Sequence, residues 1–162
     1  SSVAQIGYIL LGASFASVTG LMASVTHMFN HALAKGALFL AVAAVGMRVS
    51  RLTLDGISGI ARAMPWTMAG LAVAGASLVG IPGTAGFVSK WLLLQAAMEQ
   101  GPLGFAAAAV VVVSSLAAVF YVLRIIERAR FGVAEDAGPV AGMQEAPWPL
   151  LAVLWLAAAA NN

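Results

Sequence analysis

Along the chain, long apolar runs alternate with short polar or glycine-proline interruptions, and the runs cover about 3–19, 21–47, 66–82, 84–100 and 103–126, with another beginning at 147–160. A helix needs roughly 20 apolar residues to cross a hydrocarbon core of about 30 Å. The runs are continuous and lack the in-out alternation of a barrel strand. They predict an all-α polytopic membrane chain with five to six transmembrane helices, because only helices and closed barrels satisfy every backbone polar group in lipid.

The interruptions set the expected connections. Gly20 alone marks a bend between the first two spans, and Arg48 and Arg51 close the second. Arg51 to Pro65 reads as a loop or short interfacial helix, whose basic residues favour the cytoplasmic side. Trp66 to Gln100 is harder to place. One helix of that length would measure about 50 Å, too long for one crossing, yet two spans need roughly 40 residues. Gly80-Ile81-Pro82-Gly83 supplies a break near its middle, since Pro82 has no N–H and clashes with the preceding turn while glycine tolerates unusual dihedrals; Gly86 is grouped with these breakers. If 66–100 crosses twice, the basic segments near Arg51 and Arg128 fall on opposite sides, whereas one crossing puts both in the cytoplasm. Glu127 to Ala146 is charged and reads as a loop.

Composition agrees with the pattern: 62% of residues are hydrophobic and 9% charged, against about half and a quarter in globular domains. With no cysteine, thiolate metal sites and iron-sulfur ligation are not encoded, nor is a nucleotide-binding loop. No cofactor is expected. A net charge of +2 from scattered basic residues argues against nucleic acid as a partner. The sequence opens on Ser1-Ser2-Val3 without methionine or a basic n-region and stops at Asn161-Asn162, which reads as a piece of a longer protein.

The charges inside the apolar runs carry the candidate chemistry. His27, His31 and Lys35 follow one another at four-residue spacing, which places them in one stripe on a helix face. Lys35 lies mid-span, where a lysine costs on the order of 3 kcal/mol on insertion scales. The stripe is therefore expected to face other helices or water. A histidine here can also serve as a helix-helix hydrogen-bonding residue, but three titratable groups in register suggest a proton path, since Lys and His both take up and release protons. A metal site is the rival use of His-x-x-x-His; Met28 stands where a zinc-protease helix needs Glu, and no third ligand is evident. Lys90 follows the Gly-Pro break by a turn or two, where freed backbone groups and water can solvate a charge. The plainer alternative is a lysine snorkelling from the end of a short span.

THMFNHALAKGALFLAVAAV, followed by LDGISGIARAMPWTMAGLAVAGASLVGIPGTAGFVSKW, is similar to the antiporter-like proton-translocating membrane subunits of respiratory complex I (L, M and N types) and of the Mrp cation/proton antiporters. The resemblance extends from SSVAQIGYILLG to Tyr121 and Arg124. It implies the C-terminal part of a subunit of about fourteen helices, holding the second of two inverted repeats incompletely, and it makes Trp66 to Gln100 two passes. It maps the family's middle-helix residues onto His27, His31 and Lys35 and its broken-helix lysine onto Lys90, and it leaves a Glu-Lys pair upstream. Other membrane subunits, protons and Na⁺ are the implied partners, and a prokaryotic inner membrane the implied setting. M-type subunits tend to have Glu at the position of Lys90. PGTAGFVSKWLLLQAAMEQG with YVLRIIERARFG resembles the Mrp D-type subunit, with a proton-pumping complex I N- or L-type subunit, or that of a related hydrogenase, as the alternative. A non-conducting scaffold subunit is the rival from another class.

Overall fold

A computed structural model describes residues 2–49, 52–132 and 144–161. Arg51 at the start of the expected loop, and 133–143 within the expected 127–146 loop, lie outside the described residues. The described residues form six α-helices: α1 (Ser2–Ser14), α2 (Val18–Gly46), α3 (Pro65–Val79), α4 (Ala85–Met98), α5 (Pro102–Phe131) and α6 (Trp148–Ala159), with a 3-10 turn at Ile60–Arg62. Of these, α2 and α5 are long and apolar enough to cross a membrane.

Small residues decide how the helices approach. The buried stripe of α2 includes Gly20, Ala23, Ser24, Ala34, Ala37, Ala41 and Ala44, which lets neighbouring backbones come close where van der Waals packing must drive association. On α5, Gly104, Val111, Ala118, Val122 and Ala129 are buried, a seam close to the seven-residue repeat of packed helices. Its other faces expose Leu103, Val113 and Phe120, as a lipid-facing surface requires.

Contacts along α2 fix the path of the chain through 65–98. Thr19 donates to Glu99, His27 meets Ser89, and Asn30 Nδ2 donates to the Ala85 carbonyl. Further along, Ala37 clusters with Ala74, and Ala41, Ala44 and Val45 with Met64, Met68 and Leu71. Thus α3 and α4 lie end to end, antiparallel to α2, with the interruption at mid-length. At 1.5 Å per residue they are each about 20 Å long, and α5 runs beside both, with Val111 clustered against Leu93 on α4 and Val122 against Gly75 on α3.

This arrangement departs from the two-pass expectation: α3 and α4 together run once along the length of α2. It also brings the basic segments together, since the Gly59 N–H donates to the Arg128 carbonyl at 3.2 Å and Arg128 pairs with Asp55 at 3.8 Å. Two further boundaries differ. The chain turns at Phe15–Ser17, where Ser17 caps α2 by accepting the Gly20 N–H, while Gly20 lies within the first turn and packs closely on the Gly12 carbonyl. Glu127 to Phe131, expected in a loop, continue α5, whose C-terminal end is a favourable place for Arg128 and Arg130.

Candidate functional site

The interruption begins where Gly80 takes a left-handed conformation, φ 88°, and ends α3. Both the Gly80 and Ile81 N–H groups turn back to the Ala76 carbonyl, which leaves the Leu78 and Val79 carbonyls without helical partners. Pro82 is exposed at the outside of the turn, and Gly83 has φ 97°. Thr84 starts α4 as its N-cap, accepting the Phe87 N–H. Gly86 belongs to the first turn of α4 rather than to the break: a Cβ there would collide with the Ser77 carbonyl. Its absence lets α4 press against the end of α3, and the Gly86 N–H donates to Ser77 Oγ at 3.1 Å.

Lys90 uses the carbonyls that this turn frees. Its Nζ donates to Leu78 O at 3.0 Å and to Val79 O at 2.7 Å, at the negative end of the α3 dipole. The side chain is only 6% exposed, so it is solvated by backbone and does not snorkel. The Tyr8 ring lies over the ammonium, 5.4 Å away, and the Tyr8 hydroxyl is hydrogen-bonded to Ser114 on α5. A cavity of about 210 Å³ between α3, α4 and α5 is lined by Lys90, Gly80 and Ser115.

His27 is the next polar group. Its ring is 3% exposed and is edge-on to Tyr8 at 5.5 Å. Nδ1 meets Ser89 Oγ at 2.9 Å, and Nε2 meets Gln5 Oε1 at 2.8 Å. The His31 ring stacks on it, nearly parallel, at 6.3 Å, with its Nδ1 buried and unpartnered among the described residues. Lys35 is half-buried, with its Nζ 4.9 Å from the Phe39 ring centroid. The polar groups therefore follow the order Lys90, Tyr8 with Ser89, His27, His31, Lys35. The structure joins Lys90 to the histidines and leaves Lys35 at the far end, on the open flank of α2.

Gln5, Tyr8 and Ser89 were not among the expected site residues. Gln5 and Tyr8 stand three apart in an otherwise apolar helix, a spacing that puts both on one face. That was their only signal. Ser89 is a single small hydroxyl next to a charge, and nothing in its spacing singles it out.

Such a bundle, with lipid-facing apolar surfaces and an internal line of ionisable groups, defines an integral membrane protein with a polar axis. Residues 1–117 match the family described as NADH:quinone oxidoreductase/Mrp antiporter, TM, and the chain belongs to that family. It is 42% identical over 129 residues to NADH-quinone oxidoreductase subunit N of Desulforudis audaxviator (strain MP104C), covering 80% of this chain and 25% of that protein. The chain thus spans about a quarter of the length of that curated relative. Among solved structures it resembles the membrane-bound sulfane sulfur reductase, an archaeal respiratory membrane complex, with TM-score 0.82 and 36% identity over 99% of this chain and 26% of that one. It also resembles the Mrp complex from Dietzia sp. DQ12-45-1b, with TM-score 0.81 and 27% identity over 98% of this chain and 37% of that one.

Proposed function

We propose that this chain is part of a proton-translocating membrane subunit in which Lys90 and Lys35 exchange a proton through His27, His31 and intervening water. The observation that carries the reading is the carbonyl-held Lys90 beside the His27–His31 stack, inside a largely apolar bundle. Lysine and histidine can both carry a proton at the pH of a cell when desolvated. Charging one lysine disfavours charging the other by about a kcal/mol or more at an effective dielectric constant near 20, which makes the handover switchable. His31 Nδ1 and Ser115 Oγ, both buried and unpartnered among the described residues, are groups on which water would complete the path.

The positive-inside rule assigns the end carrying Arg48, Arg62 and Arg128 to the cytoplasm. Other membrane subunits of a larger complex are the proposed partners, in keeping with the multisubunit structures that the chain resembles. On the finer assignment, the residues around Lys90 favoured an Mrp D-type subunit of a Na⁺/H⁺ antiporter. The 42% identity with an N-type subunit supports a respiratory proton pump, while the similar identities to the Mrp complex, 27%, and to respiratory complex I from Thermus thermophilus, 25%, leave both assignments standing. Gene neighbourhood separates the two: small Mrp-type genes alongside support the antiporter, and quinone-reductase subunit genes support the pump.

The reading is tested by Lys90→Ala and Lys35→Ala in the full-length subunit within its complex. Both variants are expected to assemble normally on native gels and to lose proton-coupled transport. Wild-type transport in both would overturn the relay. A scaffold role predicts the reverse: tolerated lysine changes, and loss of the complex when His27 or His31 is replaced.

A further inference from the structure

His27, on α2, is held from two other helices, α1 and α4, and the hydrogens available to its partners restrict how it can carry a proton. Gln5 Oε1 on α1 is an acceptor only, so the ring nitrogen 2.8 Å from it, Nε2, must bear a hydrogen. On the opposite edge Ser89 Oγ is 2.9 Å from Nδ1 and also 3.1 Å from the Gly86 carbonyl. A serine has one hydroxyl hydrogen and two lone pairs. When His27 is neutral, Nδ1 is an acceptor and the Ser89 hydrogen points to it. When His27 carries a second proton, Nδ1–H donates to a lone pair of Ser89 Oγ, and the hydroxyl hydrogen turns to Gly86 O. Both ring nitrogens of His27 and the Ser89 hydroxyl are paired in both states.

We infer that Gln5 and Ser89 are positioning residues that make His27 a one-sided proton carrier. Nε2 keeps its hydrogen throughout, while the mobile proton arrives and departs only at Nδ1, the edge facing α4 and Lys90, with Ser89 as a hydroxyl rotor. The other groups facing the ring do not replace this route. Tyr8 meets the ring in a T-shaped contact and has its hydroxyl engaged at Ser114. Lys90 directs two of its hydrogens to Leu78 and Val79. His31 lies parallel to the ring, so no direct hydrogen bond joins the two imidazoles. A proton bound for His31 therefore leaves by the Nδ1 edge in a concerted hop, Nδ1–H passing its proton to Ser89 Oγ as the Ser89 hydroxyl hydrogen passes to water, and it arrives by the reverse hop, instead of crossing the ring from one nitrogen to the other.

This inference rests on the proposed proton relay, and its test keeps the two apart. In the full-length complex, Ser89→Ala is expected to slow proton transport about tenfold or more, and Ser89→Thr, which keeps the hydroxyl, to restore most of it; Lys90→Ala serves as the reference for the relay. ¹⁵N-histidine solid-state NMR of the complex in membranes, with His27 assigned by its loss in His27→Asn, is expected to show the Nε2–H tautomer for neutral His27. The Nδ1 resonance should move in Ser89→Ala. Normal transport in Ser89→Ala with none in Lys90→Ala overturns the rotor and leaves the relay standing, whereas normal transport in both removes the relay as well. An Nδ1–H tautomer in the wild type overturns the inference even if the serine variants fail to assemble.

Discussion

The ammonium of Lys90 lies 2.7 Å from the carbonyl of Val79, so the charge on α4 is held by the unfinished end of α3. One side chain thus links the architecture of the break to its chemistry. In Lys90→Met, the Leu78 and Val79 carbonyls lose their donor, and a buried unsatisfied polar group costs about 1–3 kcal/mol. We expect this variant to melt at a lower temperature in detergent and to lose transport. Lys90→Arg returns donors to the carbonyls but does not give up its proton. It should recover part of the thermal stability and none of the transport, and recovery of both would show that Lys90 acts only as a structural tie.

Gly86→Ala tests the close approach of the two half-helices. The added methyl would meet the Ser77 backbone carbonyl, which cannot swing aside as a flexible side chain would. Overpacking of this kind costs about 1–3 kcal/mol. Because the displaced turn carries Ser89 and Lys90, transport should fall together with thermal stability. Gly83→Ala provides the contrast: a Cβ there meets nothing within 4 Å, but φ is 97°. Strain of about 1–2 kcal/mol is expected from the backbone alone, with a milder effect on transport because Lys90 stays in place.

The fourfold spacing of His27, His31 and Lys35 was legible in the sequence because helical periodicity maps directly onto a face. So was the coincidence of Lys90 with helix breakers. The number of crossings was not, since 35 residues from 66 to 100 fit neither one regular span nor two. Long-range contacts, Gly59 with Arg128 and Thr19 with Glu99, are what lay 65–98 once along α2. Gln5 and Ser89 were hidden for a related reason. Each is one polar residue whose partner sits on another helix, and spacing along one helix says nothing about which faces meet. Ser17 was readable in principle as an N-cap, but Gly20 drew the boundary to itself.

Glu145 anchors the opposite end of the bundle. Its carboxylate accepts from the Trp66 N–H at 2.8 Å and from Thr67 Oγ1 at 2.5 Å, at the start of α3, while its backbone carbonyl accepts from Arg48 Nη2 at 3.1 Å. An acidic group at a helix N-terminus satisfies orphan N–H groups and meets the positive end of the dipole. Glu145→Ala should cost about 1–2 kcal/mol, seen as a lower melting temperature. Transport should be largely retained in the folded fraction, because the polar axis lies a half-helix away.

The single interrupted crossing makes a prediction about sidedness that two passes would reverse. Asp55 and Arg128 pair directly at one end of the bundle, and Glu99 bonds Thr19 at the other. The chain has no native cysteine, so introduced thiols can be read without background from this segment once any cysteines elsewhere in the subunit are replaced. Asp55→Cys and Arg130→Cys should react with a membrane-impermeant thiol reagent from the same face of sealed vesicles, the cytoplasmic one by the positive-inside rule. Glu99→Cys should react only from the opposite face. Were residues 65–98 to cross twice, Asp55→Cys and Glu99→Cys would label from one face and Arg130→Cys from the other. That outcome would place Lys90 near a membrane surface and remove the reason for it to be held by backbone carbonyls at mid-depth.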